Sequence, residues 1–238
     1  GNSYYYYHIH VKNMKKCFQI QHYGYTKAFR QEVVLYSTFE NPVIAHFVGF
    51  YIERNKNNFI CIEMPKYGFL DEFIKKKVKD PFLMFPSKKL VIAYGIAYVM
   101  NYLHSCHVIH RDLQPANICL DHSLYPLLYN FYFARQTDQP ESSKILKETS
   151  LQFMAPEFIK NPSDVQNSFK IDVYSYGMLL FNLMTEIKPF ENITSKEDLI
   201  NEVINGKRPI FTPSVEEQWI ELISKCWDED PDKRPTFQ

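Results

Sequence analysis

Alternating apolar and polar residues dominate the first part of the chain. The segments His8–Val11 and Cys17–Gln21 alternate in this way, and Ile44–Ile52 and Phe59–Met64 have the same strand-forming composition. A period of two residues is typical of strands, because successive side chains point to opposite faces of a sheet. Between these segments, Lys27–Phe39 has apolar residues at helical spacing. The pattern predicts a small sheet accompanied by one helix.

The rest of the chain has apolar residues at helical spacing. Phe69–Lys77 predicts a short helix, and Ser87–His104 predicts a long apolar helix with its first residue as N-cap. Asp172–Thr185 predicts another helix of this kind. Two capping boxes, which begin at Thr194 and Ser214, predict two further helices. The pattern as a whole indicates an α+β chain with a larger, mainly helical second part.

Length and composition allow one large domain or two small ones. The chain has 238 residues, no internal repeat and 45% hydrophobic residues, enough to bury a sizeable core. Its longest apolar stretch, Leu90–Leu103, is too short to cross a bilayer, so no membrane segment is expected. The abrupt start at Gly1 is compatible with a fragment of a longer protein.

Charge and cysteine content exclude several classes of function. Lys and Arg number 27 and so do Asp and Glu, so the formal net charge is zero. A general nucleic-acid binder needs a basic excess, and none is present. The five cysteines are odd in number and include no C-x-x-C pair, which argues against a disulfide framework or a zinc site. We therefore expect a reducing, cytoplasmic location.

The most informative segment runs from His110 to Asn117 and reads HRDLQPAN. It resembles the catalytic loop of protein kinases, H-R-D-L-x-x-x-N. The resemblance implies that Asp112 accepts the proton of a substrate hydroxyl and that Asn117 holds magnesium. His110 and Arg111 belong to the same predicted catalytic set.

Further segments agree with this family over nearly the whole chain. Met154–Glu157 resembles the A-P-E segment of kinases, and Asp172–Gly177 resembles the start of their central helix. Cys226–Trp227 and Asp230–Phe237 resemble the end of the tyrosine-kinase and tyrosine-kinase-like families. In such kinases the A-P-E glutamate pairs with the arginine of the last motif. The resemblance therefore implies a buried ion pair between Glu157 and Arg234.

The family resemblance also implies the fold. We expect an α+β, bilobal protein-kinase-like fold in a single domain over residues 1–238. Residues 1–64 would form a small antiparallel β-sheet N-lobe with one regulatory helix, and residues 65–238 a larger, mainly α-helical C-lobe. Adenine recognition in the family uses the hinge between the lobes. Ile62 is then the expected gatekeeper, and Glu63 and Met64 the expected hinge residues.

One departure from the family lies where kinases have D-F-G. The sequence there reads Asn130-Phe131-Tyr132, so Asn130 replaces the metal-binding aspartate and Tyr132 replaces the glycine. Magnesium prefers carboxylate and phosphate oxygens, and a neutral amide brings no charge to it. A metal held by Asn117 and Asn130 is therefore expected to bind weakly. Tyr132 also removes the backbone freedom of glycine.

A second departure concerns the lysine that pairs the nucleotide phosphates. Glu32 matches the glutamate of the regulatory helix, and Gln21 stands where the lysine of V-A-I-K is expected. Glutamine donates hydrogen bonds but carries no positive charge. Lys12, on the preceding predicted strand, is an alternative source of the charge. Alternatively, Lys12 is an ordinary lysine on a strand, with its side chain facing solvent.

The glycine-rich loop and the loop position after Asp112 also depart from the family. If Gly1 is the first glycine of G-x-G-x-x-G, then Ser3 and Tyr6 replace the other two, and their side chains keep backbone amides away from phosphates. Alternatively, the tyrosines of this region pack as a strand. Gln114 lies where serine/threonine kinases have lysine and tyrosine kinases usually have alanine. The preference for Ser/Thr or Tyr therefore stays open.

These departures predict a catalytically impaired kinase domain, a pseudokinase. It would act as a signalling scaffold or allosteric partner of another protein, and binding of ATP and Mg²⁺ is expected to be weak or absent. The alternative is an active kinase that transfers the ATP γ-phosphate to Ser, Thr or Tyr of a protein, with Asp112 as base. A third possibility is a small-molecule phosphotransferase with the same lobes. Candidate phosphorylation sites are Ser142, Ser143, Thr149 and Ser150.

Overall fold

The computed structural model describes residues 17–23, 27–52, 57–63, 65–75, 85–138, 151–162 and 168–238, with backbone alone for 17–23 and 57. Three strands form an antiparallel sheet: β1 (Cys17–Tyr23), β2 (Phe47–Ile52) and β3 (Asn57–Glu63). Strand β3 lies in the centre, between β1 and β2. Its side chains Ile60 and Ile62 are buried, as expected for apolar residues two apart on one face of a sheet.

Helix α1 (Lys27–Thr38) follows the first strand and contributes to the same core. Its buried residues recur at helical spacing, which places them on one face; they are Ala28, Phe29, Glu32, Leu35 and Tyr36. Phe29 makes an edge contact with Phe50, their ring centroids 6.2 Å apart. Tyr36 stacks on Phe47 at 5.8 Å. The aromatic contacts therefore attach α1 to strand β2.

Six further helices lie in the described residues: α2 (Leu70–Lys75), α3 (Pro86–Ser105), α4 (Pro156–Lys160), α5 (Lys170–Thr185), α6 (Lys196–Ile204) and α7 (Glu217–Cys226). Helix α5 is buried along most of its length. Gly177 on α5 allows α7 to approach closely, since a Cβ atom at this position would lie 2.9 Å from Cβ of Cys226.

Two short antiparallel ladders position the loops that contain the predicted catalytic and metal-binding residues. Strand β4 (Val108–Ile109) pairs with β7 (Arg135–Gln136), and β5 (Ile118–Leu120) pairs with β6 (Pro126–Leu128). Residues 110–117 therefore connect β4 to β5, and residues 129–134 connect their partners β6 and β7. Because both loops start and end on paired strands, they lie side by side.

Backbone hydrogen bonds connect the segment before β2 to strand β6. The amide of Ala45 donates to the carbonyl of Leu128 over 2.9 Å, and the amide of Leu128 donates to Val43 over 2.7 Å. This connection places the end of β6, and with it the loop 129–134, next to the three-stranded sheet and α1.

The helix caps differ from the sequence predictions. Ser87 is not the N-cap of α3, because that helix starts at Pro86 with Phe85 in the cap position. In α6 the cap is Ser195 instead of Thr194, and its hydroxyl accepts a hydrogen bond from the Asp198 amide. Helix α7 starts with Glu216 as cap, so the box predicted at Ser214 is wrong. Each error displaces the cap by only one or two residues, which is the usual uncertainty of a helix boundary.

The fold class expected from the sequence is present in the described part of the chain. Helices and small antiparallel sheets are both present, as predicted for an α+β chain. None of the helices in the described ranges combines the length and apolar content needed to cross a lipid bilayer. The cysteines whose side chains are described, Cys61, Cys106, Cys119 and Cys226, are free thiols.

Candidate active site

A buried aspartate on helix α5 anchors the loop 110–117. Asp172 is 0% exposed, and its carboxylate accepts hydrogen bonds from the backbone amides of His110 and Arg111, both over 2.8 Å. The ring nitrogen Nε2 of His104 lies 3.0 Å from the same carboxylate. Sequence reasoning placed Asp172 only at the start of a helix and missed this role. Nothing in the sequence indicates which group accepts the hydrogen bonds of the His110 and Arg111 backbone amides.

Electrostatics explain why Asp172 tolerates burial. Burial alone would raise the pKa of Asp172, but the hydrogen bond and charge of His104 and the interactions with His110 lower it below its usual value. A carboxylate that accepts several hydrogen bonds is stabilised in its charged form. Arg111 adopts a left-handed backbone conformation, with φ 62°. That strain, about 1–3 kcal/mol for such residues, is offset by the hydrogen bond of its amide to Asp172.

His110 and Arg111 lie in the predicted loop, and their side chains form hydrogen bonds with backbone groups of the protein. His110 is buried, and its Nδ1 accepts the Asp112 amide over 3.3 Å, so Nε2 carries the proton and donates to the Tyr129 carbonyl over 3.3 Å. Burial lowers the pKa of His110, which keeps the ring neutral near pH 7. Nε of Arg111 donates to the Phe133 carbonyl over 2.7 Å. Both side chains therefore position the two loops.

The predicted base Asp112 lies in a cluster of side-chain amides. Nε2 of Gln114 donates to Oδ1 of Asp112 over 2.7 Å, and Nδ2 of Asn117 donates to Oδ2 over 2.8 Å. Nδ2 of Asn117 also lies 2.6 Å from the Asp112 carbonyl oxygen. Both carboxylate oxygens of Asp112 thus accept hydrogen bonds from amides of the same loop.

Asn130 reaches this cluster from the neighbouring loop. Its Nδ2 donates to Oδ1 of Asn117 over 3.0 Å and to Oδ2 of Asp112 over 3.4 Å. The side chain is buried, and its Oδ1 has no hydrogen-bond partner among the described residues. The backbone of Asn130 is left-handed, with φ 67°, a conformation that asparagine adopts more readily than most residues. The structure therefore brings Asp112, Asn117 and Asn130 together, as predicted.

Helix α1 holds the loop that carries Asn130. The hydroxyl of Tyr36 accepts the Asn130 amide over 2.8 Å, and Nε2 of Gln31 donates to the Ala134 carbonyl over 2.9 Å. Phe131 packs edge-on against Tyr36 at 4.9 Å and against His110 at 5.6 Å. Burial, and secondarily the Glu32 carboxylate, raise the pKa of Tyr36. Its hydroxyl therefore stays protonated.

The predicted nucleotide-binding residues lie on or near the three-stranded sheet. Glu32 and Ile62 are buried, and Glu63 donates its amide to the His46 carbonyl over 2.9 Å. Gln21 lies on β1, opposite Phe59 of β3. The Gln21 side chain and several predicted residues fall outside the described part of the chain; these residues are Gly1, Ser3, Tyr6, Lys12, Met64, Ser142, Ser143, Thr149 and Ser150.

The donor set for a metal ion is small. Of the four side chains Asp112, Gln114, Asn117 and Asn130, only Asp112 is a carboxylate. Oδ1 of Asn117 and Oδ2 of Asp112 both accept hydrogen bonds from Asn130, so a cation would compete with that amide for them. Within the described ranges, no group of three or more His, Cys, Asp or Glu residues could hold a metal ion. As folded, these residues do not fit a tightly bound Mg²⁺, which favours several oxygen ligands that include carboxylates.

The predicted ion pair of Glu157 and Arg234 is confirmed. The guanidinium binds the carboxylate through two contacts of 2.6 and 3.0 Å. Arg234 is fully buried, but the Glu157 side chain is 18% exposed, so the pair is less buried than expected. Arg234 also donates to the carbonyls of Asp228 and Lys170. It therefore connects α4 and the start of α5 to the end of the chain.

A cavity of about 390 Å³ opens beside the catalytic loop. It lies between that loop and parts of α2 and α5, and Asp71, Gln114, Phe153, Asn182 and Glu186 are among its lining residues. Gln114 belongs both to this wall and to the hydrogen-bonded cluster around Asp112. A group bound in the cavity would therefore lie close to Asp112.

The fold and this cluster define a protein-kinase-like domain, and comparison with known proteins places the chain in a family. The model of the protein tyrosine and serine/threonine kinase family matches residues 3–238. The chain therefore belongs to this family, and the catalytic-loop resemblance is confirmed at that level.

Curated relatives in two organisms are about equally similar. Dual specificity protein kinase splA of Dictyostelium discoideum is 31% identical over 88% of this chain and 9% of its own length. In Arabidopsis thaliana, serine/threonine-protein kinase STY17 is 32% identical over 89% of this chain and 36% of its own. Serine/threonine/tyrosine-protein kinase HT1 is 30% identical over 88% of this chain and 52% of its own length. The chain thus spans at most about half the length of these relatives.

Proposed function

We propose that this chain is a catalytically impaired member of the kinase family that acts as a signalling scaffold or allosteric partner of another protein. One observation carries the proposal: at the D-F-G position, the Asn130 amide donates hydrogen bonds to Asn117 and Asp112. A magnesium ligand offers an oxygen lone pair to the cation, whereas this amide turns its hydrogen atoms toward the oxygens of Asn117 and Asp112. The site thus has one carboxylate where the family has two.

The rate penalty of this replacement is large. Groups that stabilise transition-state charge typically contribute about 10²–10³-fold each. The family normally uses ATP with Mg²⁺, and Gln21 is the residue predicted at the position of its phosphate-pairing lysine. Losing two such charges leaves Asp112 without the cations that a triphosphate needs. We therefore infer that ATP and Mg²⁺ bind weakly or not at all.

The features that support a folded binding module are retained. The Glu157–Arg234 pair and the Asp172 anchor hold the helical part together. The cavity beside Gln114 offers a concave surface for a protein segment. We infer that residues 1–64 and 65–238 are the two lobes of one bilobal domain and that the protein acts in the cytoplasm, as the free cysteines suggest.

A nucleotide titration tests the proposal. Thermal unfolding of the wild type is measured with ATP, with and without Mg²⁺, beside a phosphotransfer assay on a general protein substrate. We expect no Mg²⁺-dependent shift with ATP, and the same background phosphate incorporation for the wild type and Asp112→Asn. Incorporation that disappears in Asp112→Asn would contradict the proposal.

An active kinase is the second candidate, and one observation favours it. The catalytic loop has every residue that the pattern H-R-D-L-x-x-x-N requires. The Asn117 side chain also donates hydrogen bonds to the carbonyl oxygen and to a carboxylate oxygen of Asp112. In that case Asp112 accepts the proton of a Ser, Thr or Tyr hydroxyl. Mass spectrometry of the incubated chain, with attention to Ser142, Ser143, Thr149 and Ser150, would then detect ATP-dependent autophosphorylation. The family match argues against the third possibility, a small-molecule phosphotransferase.

A further inference from the structure

Three primary carboxamides from three separate segments line the cavity beside the catalytic loop. They are Gln114 of the loop 110–117, Gln152 of the 3₁₀ helix Leu151–Phe153 and Asn182 of helix α5. We propose that this cavity binds an extended, uncharged segment of a partner protein, whose peptide groups form hydrogen bonds with the carboxamides. The proposal rests on the proposed function, since it names the kind of protein segment that the scaffold binds.

Asn182 offers an acceptor to the cavity from a buried position. The residue is only 6% exposed, and its Nδ2 donates to the Ile187 carbonyl over 3.0 Å. Because a carbonyl oxygen can only accept, the nitrogen of the carboxamide must face it, and Oδ1 is the atom left for the cavity. Within the described ranges, this Oδ1 accepts no hydrogen bond. A donor N–H of a bound segment would satisfy it.

The two glutamines supply donors as well as acceptors. Gln114 uses one N–H of Nε2 for Asp112 over 2.7 Å, which leaves its second N–H and its Oε1. Gln152 is half-buried, and its side chain forms no hydrogen bond with the other residues that the structure describes. A carboxamide has an acceptor oxygen and N–H donors, the same kinds of group as a peptide bond. The lining can therefore pair with both the N–H and the C=O groups of an extended chain.

Apolar side chains form another part of the cavity wall. Ile74 of α2 and Phe153 line the cavity and are each 5% exposed, and Pro115 beside them is buried as well. The volume of about 390 Å³ lies toward the lower end of the range for ligand cavities, about 300–1,000 Å³. A short stretch of chain fits this space if one apolar side chain lies against Ile74 and Phe153 while the peptide groups meet the carboxamides.

The charged residues of the lining are balanced in sign. They are Asp71, Lys75, Glu186, Lys188 and Glu191. Asp71 binds Lys75 over 2.9 Å, and Glu186 binds Lys89 of α3 over 2.9 Å. The other two, Lys188 and Glu191, have opposite charges. A charged segment would therefore find no excess of the opposite sign in the lining, and it would lose its own hydration on binding. An uncharged segment avoids this cost.

Three capped pentapeptides that differ only in charge test the proposal on the full chain. Each has a central leucine, and the four other residues are all serine, all lysine or all aspartate. Binding is followed by NMR titration of the side-chain amide signals in the wild type, Gln152→Ala and Gln218→Ala. Gln152→Ala removes no hydrogen bond within the described structure, so the variant should keep the wild-type fold and unfolding midpoint. Gln218→Ala makes the same change at an exposed position of α7 and is the matched control.

The serine peptide should bind about tenfold more tightly than either charged peptide, and it should shift the side-chain amide signals of Gln114, Gln152 and Asn182. Gln152→Ala should weaken its binding about fivefold, as expected for one hydrogen bond, and Gln218→Ala should leave its affinity unchanged.

Three outcomes would overturn the proposal: no binding of the serine peptide at millimolar concentration, equal or tighter binding of a charged peptide, or the same affinity in Gln152→Ala as in the wild type. These outcomes are separate from failure of the proposed function. Phosphotransfer that disappears in Asp112→Asn would contradict impaired catalysis and leave the preference among the peptides intact.

Discussion

Asp172 and Asp112 both contact the loop 110–117, and their surroundings differ in kind. Asp172 accepts hydrogen bonds from two backbone amides and from His104 at the base of the loop. Asp112 accepts hydrogen bonds from Gln114, Asn117 and Asn130, all of which are neutral side chains. At the first site the anion organises the backbone, so its charge is needed for folding. At the second site the donors among the described residues are neutral amides, and the charge that they bind is one that a ligand-binding function would require.

The same contrast holds between two other sites of the chain. Glu157 and Arg234 retain opposite charges and bind through two contacts. Around Asn130 the family's second carboxylate is replaced by an amide. Charges that stabilise the fold are thus retained, and the charge that would act on a bound metal is lost. The proposed function, binding without phosphotransfer, predicts this distribution.

The largest effect is expected from comparing one substitution at the two aspartates. Asp172→Asn removes a buried charge that three donors share and places an amide against one of them. We expect it to lower the free energy of unfolding by about 3–5 kcal/mol. Asp112→Asn keeps an oxygen acceptor among the surrounding amides and should change the free energy of unfolding by about 1 kcal/mol or less. Urea unfolding of both variants measures the difference. Equal losses at the two sites would contradict the comparison.

A smaller loss of stability is expected when the partly exposed ion pair of Glu157 and Arg234 is broken. Glu157→Gln leaves the buried Arg234 guanidinium with a neutral partner but retains its carbonyl contacts to Asp228 and Lys170. We expect a loss of about 2–3 kcal/mol in the free energy of unfolding, below the usual cost of breaking a fully buried pair. Equilibrium unfolding in urea measures it. The exposed pair of Lys225 and Glu221 is the control, and Glu221→Gln should have almost no effect.

The smallest effect is expected from a mild change of pH. The pKa of His110 is lowered in the fold from 6.5, so the unfolded chain binds its proton first, and stability falls as pH drops below that value. The pKa of Asp172 is also lowered, from 3.8, and its contribution is lost only under more acid conditions, as pH falls through the folded pKa. Unfolding free energies measured from pH 7 downward should therefore decline in two stages.

A variant separates these stages. In His110→Phe the decline just below pH 6.5 should be reduced, while the acid stage due to Asp172 remains. Stability that rises as pH falls from 7 to 5 would contradict the assignment of a neutral, buried His110.

Much of the site could be predicted because its residues lie in short, ordered motifs. The loop HRDLQPAN and the triplet of Asn130, Phe131 and Tyr132 each have fixed spacing, so their grouping follows from the family pattern. The pairing of Glu157 with Arg234 was predictable for the same reason. Helix caps were less predictable, since adjacent polar residues compete for the same local role, as Thr194 and Ser195 do.

The strand and helix periods, the family motifs and the amide at a position where a carboxylate is expected could all be read from the amino-acid sequence. How those groups interact with one another depends on the folded structure. Hydrogen-bond direction depends on distances of about 3 Å between loops that are far apart along the chain. The pairing of β4 with β7 and of β5 with β6 sets those distances. That is why Asp172 became an anchor and Asn130 a donor to Asp112.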